Sequence, residues 1–241
     1  MSIAFSIMRP LSGAVQSLPR CGLLSKAQVD AKWCGKLMDR CIRCQFQIQR
    51  IRRHRGLMTS NVDKQHDPGG KVRILLPKGV IGSAIFGGVS NEYRYRLSRT
   101  WSRGPRVLFI MMNPSTADPL VDDPTVAKCR RFAVKWGYGS MNVGNTFAYR
   151  ATDQRELTQV ADPIGPENDR HLLAMARASE LVIFAYGKPK TRVLKARGLE
   201  VALMLKAKAE IKPYILRLTL DGTPSHPLYL PEALKPKPWK L

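Results

Sequence analysis

Four polar runs carry residue types able to do chemistry, and each closes an apolar stretch. Asn113-Pro114-Ser115-Thr116-Ala117-Asp118 brings an amide, two hydroxyls and a carboxylate. Asn145 precedes Phe147-Ala148-Tyr149-Arg150-Ala151-Thr152, with two aromatic faces and a guanidinium. Tyr186-Gly187-Lys188 and His226-Pro227-Leu228-Tyr229 add an ammonium and an imidazole. An asparagine amide supplies both a donor and an acceptor. A preorganised imidazole stabilises negative charge that builds on a departing group. Singly, each run has an ordinary structural use: Asn-Pro-Ser starts turns and helices, and a loop histidine often only packs.

Other chemistries fit less well. Gly187-Lys188 lacks the spaced glycine of a P-loop, and no G-x-G-x-x-G follows the first long apolar strand. Ser115 and His226 with an aspartate have the composition of a hydrolase triad, but G-x-S-x-G is absent. Asp118, Asp122, Asp123, Asp162 and Asp169 with His226 leave metal-dependent phosphoryl hydrolysis as a lesser alternative. Asp123 and Asp162 precede prolines, however, and read first as caps and turn formers. Cys34, Cys41 and Cys44 contain one C-x-x-C, short of the paired spacings of structural zinc. No metal and no cofactor is expected.

The elements before these runs must position them. Residues 81–86 and 93–101, joined through Gly87-Gly88, read as a strand pair. Tyr93, Tyr95 and Leu97 alternate with Arg94, Arg96 and Ser98, as one buried face requires. Residues 107–112 are continuously apolar, the pattern of a strand buried on both faces. Asp123-Pro124 supplies the N-cap and first position of a helix carrying Val126, Cys129, Ala133 and Trp136, ended by Gly137 or Gly139. A strand over 141–147, a helix opening at Pro166-Glu167-Asn168-Asp169, a strand over 181–186, a helix over 191–208 and a strand over 214–220 follow. This alternation predicts a three-layer α/β/α sandwich with a mainly parallel four-stranded central sheet and an N-terminal β-hairpin. Ligands in such sheets bind beyond the carboxyl ends of the strands, where all four polar runs lie.

Composition bounds the partners. The chain has 241 residues, 44% hydrophobic and 24% charged, a globular balance that excludes collagen, coiled coil and wholesale disorder. No run approaches the roughly 18 apolar residues of a spanning helix, so no membrane partner is expected. Forty basic against 18 acidic side chains give +22, which suits nucleic acid or nucleotides. Residues 1–57 hold 11 basic and 2 acidic residues and four of the five cysteines. Their weak apolar periodicity marks a disordered basic extension or a start assigned too early, with a targeting segment as the lesser alternative. The single domain is expected over 58–241. Cysteines crowded into one end do not form a disulfide framework, so a reducing, cytoplasmic setting is expected.

Tyr93-Arg94-Tyr95, Asn113-Pro114-Ser115-Thr116-Ala117-Asp118, Asp123-Pro124-Thr125, Tyr149-Arg150-Ala151-Thr152, Asp162-Pro163-Ile164-Gly165-Pro166-Glu167-Asn168-Asp169 and His226-Pro227-Leu228-Tyr229-Leu230 together resemble a bacterial and phage family, domain of unknown function 1643. The resemblance runs from Tyr93 to Trp239. Asn113-Pro114-Ser115, Asn145 and His226-Pro227 also stand in the order of motifs in the uracil-DNA glycosylase superfamily, although Met111-Met112 replaces the usual glycine and Leu228 a serine. That second resemblance implies nucleobase recognition with N-glycosidic bond hydrolysis. Asn113, His226 and Asp118 are then the expected catalytic residues. Asn145 reads the extruded base, Phe147 or Tyr149 stacks on it, and Pro114, Ser115, Arg150 and Lys188 complete substrate binding, with Lys190 and Arg192 near the phosphates. The alternative is a non-catalytic nucleic-acid or nucleotide-binding module.

Overall fold

The computed structural model describes residues 66–69 and 72–241. The extension 1–57, with Cys34, Cys41 and Cys44, lies outside the described residues. The strands are β1 (Ile74–Leu75), β2 (Ile81–Gly87), β3 (Tyr93–Thr100), β4 (Arg106–Met111), β5 (Val121–Asp122), β6 (Ser140–Asn145), β7 (Leu181–Phe184), β8 (Pro213–Ile215) and β9 (Lys237–Pro238). Three α-helices stand among the described residues: α1 (Pro124–Lys135), α2 (Asn168–Arg177) and α3 (Arg192–Lys208). Asp123 Oδ1 accepts from Val126 N at 2.8 Å to start α1, and Gly137 at φ +83° follows its end. Thr191 caps α3 in the same way through Leu194 N.

The fold is mixed α/β. β1 and β5 form a small antiparallel pair, and the other seven strands form one sheet in the order β2-β3-β6-β4-β7-β8-β9. The junctions β6–β4, β4–β7 and β7–β8 are parallel, while β2–β3, β3–β6 and β8–β9 are antiparallel. Alternation along β4 divides the core. Val107, Phe109 and Met111 pack with Val126, Cys129, Phe132 and Ala133 of α1. Leu108 and Ile110 pack instead with Leu172 and Met175 of α2 and Leu194, Val201 and Leu205 of α3. Burial of both faces explains why this strand is apolar without a break.

The sheet is larger and more mixed than the four-stranded, mainly parallel one expected. The hairpin β2–β3 is part of it, because Leu97–Thr100 pairs with β6. β9 adds a two-residue edge too short to show any periodicity. The strand expected over 214–220 stops at Ile215, and the chain then folds back through a turn in which Thr219 N donates to Thr223 O at 2.8 Å.

The expected alternation along β3 also breaks. The register shifts between Ile85, paired with Arg96, and Phe86, paired with Arg94, so Tyr95 is an extra residue opposite β2. Such a bulge reverses side-chain parity beyond it. Leu97 faces the α1 side, whereas Tyr95 stacks on His171 of α2 with ring centroids 5.1 Å apart. Arg94, expected opposite Leu97, instead reaches the Ala117 carbonyl on the α1 side.

Candidate functional site

β4 is flanked by two parallel neighbours, β6 on one side and β7 on the other. The chain leaves β4 through α1 on one face and leaves β6 through α2 on the other, so the connections part beside these two strand ends. That is the position where open α/β sheets leave a crevice. A cavity of about 800 Å³ lies there. Met111 and Asn145, paired across the β4–β6 ladder, both line it, as do Asn113, the first turn of α1, Tyr186-Gly187-Lys188 and the loop carrying His226.

Asn113, Asn145 and His226, separated by up to 113 positions in the chain, thus share one cavity wall. Asn113 Nδ2 donates to the Ala151 carbonyl at 2.6 Å, which fixes the amide and leaves its oxygen as the free acceptor. Asn145 is buried at the end of β6. Its Oδ1 accepts from Arg94 Nη2 at 3.4 Å, and its backbone carbonyl is held by Asn168 Nδ2 at 3.0 Å. Its amide NH2 makes no hydrogen bond with any described residue, so it remains a donor at the cavity. His226 is half-buried, with Nδ1 buried and without a partner among the described residues. Burial lowers its pKa, with Asp123 pulling the other way, so the ring is neutral at neutral pH. Gly187, at φ +75°, lies against this imidazole: a Cβ there would come within 3.0 Å of His226 Cβ.

Four wall residues, Arg94, Asp123, Tyr186 and Tyr229, were not among the expected site residues. Arg94 is only 2% exposed, and burial pulls its guanidinium down to about 10, opposed by Asp123, so it stays charged at neutral pH. Asp123 is both the α1 cap and, among the described residues, the one carboxylate on the wall. Tyr186 is buried, its phenol pushed up to about 12 by burial, and Tyr229 stands 80% exposed with its ring 5.8 Å from that of His226. Tyr186 and Tyr229, not Phe147 and Tyr149, are the aromatic residues that line the cavity, and of their rings that of Tyr229 is exposed. Arg94 lies in the Tyr93-Arg94-Tyr95 motif, but only the bulge turns it inward. The His226-Tyr229 spacing was legible; the inward Tyr186 was not.

Of the remaining expected residues, Ser115 and Lys188 line the cavity and the others do not. Asp118 Oδ1 accepts from Leu120 N at 2.7 Å and Val121 N at 3.0 Å, so its carboxylate closes a turn. The Pro114 carbonyl takes Ala151 N at 2.9 Å. Phe147 is in the core beside Leu157 and Leu172, and Tyr149 packs against His66 and Tyr93. Arg150 is buried, donating to the carbonyls of His66 and Asn91 and lying over the Phe86 ring at 5.1 Å. Lys190 pairs with Asp153 at 2.9 Å. Asp122 is paired with Arg99 and Arg130, Asp162 caps Ile164 and Gly165, and Asp169 pairs with Arg197. Among the described residues no group of three or more His, Cys, Asp or Glu is spaced to hold a metal ion, and no described helix is long and apolar enough to cross a membrane.

The family model described as protein of unknown function, DUF1643, matches residues 94–228, a span that includes Arg94, Asn113, Asp123, Asn145 and His226. No curated protein and no solved structure matches the chain.

Proposed function

We propose, for a chain that belongs to the DUF1643 family, that the cavity recognises a nucleobase and hydrolyses its N-glycosidic bond. The observation that carries this reading is the convergence of Asn113, Asn145 and His226 on one wall at the β4–β6 strand ends. The expected layering of helices on both sides of the sheet underlies it, since that arrangement opens a crevice only at the carboxyl edge. The Asn145 amide donates to an acceptor on the base edge. Tyr229, 80% exposed beside His226, supplies the stacking face. The Asn113 oxygen accepts from a water and orients it towards the anomeric carbon. As the bond breaks, electrons move onto the base, and neutral His226 donates a hydrogen bond to the atom that becomes anionic. The water's oxygen bonds to the sugar carbon, and its proton leaves to solvent or to the departing base. Lys188 and Arg217 on the wall attract the anionic substrate.

Incubation of the full-length protein with oligonucleotides and nucleotides carrying uracil or modified bases tests this. Free base, with abasic sites revealed by alkali in the oligonucleotides, is the expected product. Saturable binding without free base supports the alternative, a recognition module using the same cavity. Neither binding nor product overturns both readings.

A further inference from the structure

Arg94 is the cavity group that this reading leaves unused. Of the other buried arginines, Arg99 bonds Asp122 at 2.8 Å and Arg197 pairs with Asp169 and Glu200, while Arg150, which does not line the cavity, is held by the carbonyls of His66 and Asn91. Arg94 has no carboxylate partner among the described residues. Its Nη1 is taken by the Ala117 carbonyl at 2.7 Å, Nη2 makes only the long contact to Asn145, and Nε is buried without any acceptor. A buried cation left in this state is costly and calls for a counter-charge.

The surroundings select an anion. Arg94, Lys188 and Arg217 face one carboxylate, Asp123, on the cavity wall. The first turn of α1 borders the same space. Pro124 has no N–H, Val126 N is taken by the Asp123 side chain, and Ala127 N bonds the Asp123 carbonyl. Thr125, with its backbone N–H and hydroxyl, is the donor left at the cavity. The buried Arg94 guanidinium, short of acceptors, is independent of that helix end, and Arg94 and Thr125 line one cavity.

We propose that the ligand is a free nucleoside monophosphate whose phosphate sits between the Arg94 guanidinium and the first turn of α1. This rests on the nucleobase reading and narrows it from nucleic acid or nucleotide to a free nucleotide. Steric fit favours a terminal phosphate as much as charge does. A phosphodiester is flanked by sugars on both sides, and bringing its oxygens to a guanidinium this deep would draw two chain segments into the space. A terminal monoester is attached on one side only and presents three oxygens to the fork. A cavity of about 800 Å³ has room for one nucleotide.

Calorimetric titration of the full-length protein with nucleosides, their monophosphates, inorganic phosphate and a single-stranded oligonucleotide without terminal phosphate tests the proposal. The monophosphate of a bound nucleoside is expected to bind about tenfold or more tighter than the nucleoside. Inorganic phosphate should compete with it, and Arg94→Lys should remove most of the gap. Arg94 also holds the Ala117 carbonyl, so that variant can fail to fold; the wild-type comparison of nucleoside with monophosphate decides without it. Equal binding of nucleoside and monophosphate, or oligonucleotide binding as tight as the monophosphate, overturns this inference and leaves the nucleobase reading in place. Absence of binding by every nucleoside, nucleotide and oligonucleotide overturns both.

Discussion

Gly198→Ala sets two opposing effects against each other inside α3. In an ordinary helix interior the change removes backbone freedom from the unfolded chain and stabilises by about 1 kcal/mol. Here a Cβ at position 198 would come within 2.6 Å of Tyr186 Cζ and 2.9 Å of its hydroxyl oxygen. Tyr186 is buried between α3 and Trp239, so the ring has little room to yield. Overpacking of this kind costs about 1–3 kcal/mol, so the net change should run from near zero to about 2 kcal/mol of destabilisation. Urea denaturation of wild type, Gly198→Ala, Tyr186→Leu and the double variant measures it. In the Tyr186→Leu background the alanine should be stabilising, and the cycle should show coupling of about 1 kcal/mol or more. A single Gly198→Ala variant about 1 kcal/mol more stable than wild type, with no coupling to position 186, would refute the claim that glycine is there to make room for the Tyr186 ring against α3.

Three further outcomes are expected. Asp122→Ala leaves Arg99 fully buried without its carboxylate and should cost about 3–5 kcal/mol by chemical denaturation; a loss below about 1 kcal/mol would show that the surrounding carbonyls suffice for the charge. Burial lowers the folded-state pKa of His226 and of His171, so their contribution to stability is complete above the ordinary histidine value of about 6.5 and is lost as pH falls through the folded values. Thermal midpoints should therefore fall between pH 7 and pH 5, with a shallower fall in His226→Gln; an identical profile in that variant counts against a buried neutral ring. Affinity for polyanions should weaken as salt rises, and the slope should shrink in Lys188→Ala/Arg217→Ala, whereas an unchanged slope would place the phosphate contacts away from the cavity.

Elements with strong local signals were legible in the sequence. The β4 run and the Asp123-Pro124 helix start each depend on residues within a few positions, and each formed where expected, while the helix expected over 191–208 begins at Arg192, capped by Thr191. The carboxyl-edge rule then pointed to the strand ends that line the cavity. What escaped was set by partners distant in sequence. The Tyr95 bulge is a property of the β2–β3 pairing, and it alone turns Arg94 towards Asn145. Asp118 and Arg150 have the right chemistry in the right runs, yet a turn and two loop carbonyls occupy them. Phe147 lies two residues beyond Asn145 but in the core beneath α2, because Thr146 N and Phe147 N bond back to Met111 and Met112 and fold the strand end inward.

The most direct test of the cavity as the place of reaction is base release by Asn113→Ala/His226→Ala compared with wild type on a substrate the wild type cleaves. Both positions lie on loops, outside the packed clusters, so the double variant should keep the wild-type unfolding midpoint to within a few degrees. Loss of base release by about a hundredfold or more, with folding intact, is the predicted result. A well-folded double variant that releases base at the wild-type rate would contradict it.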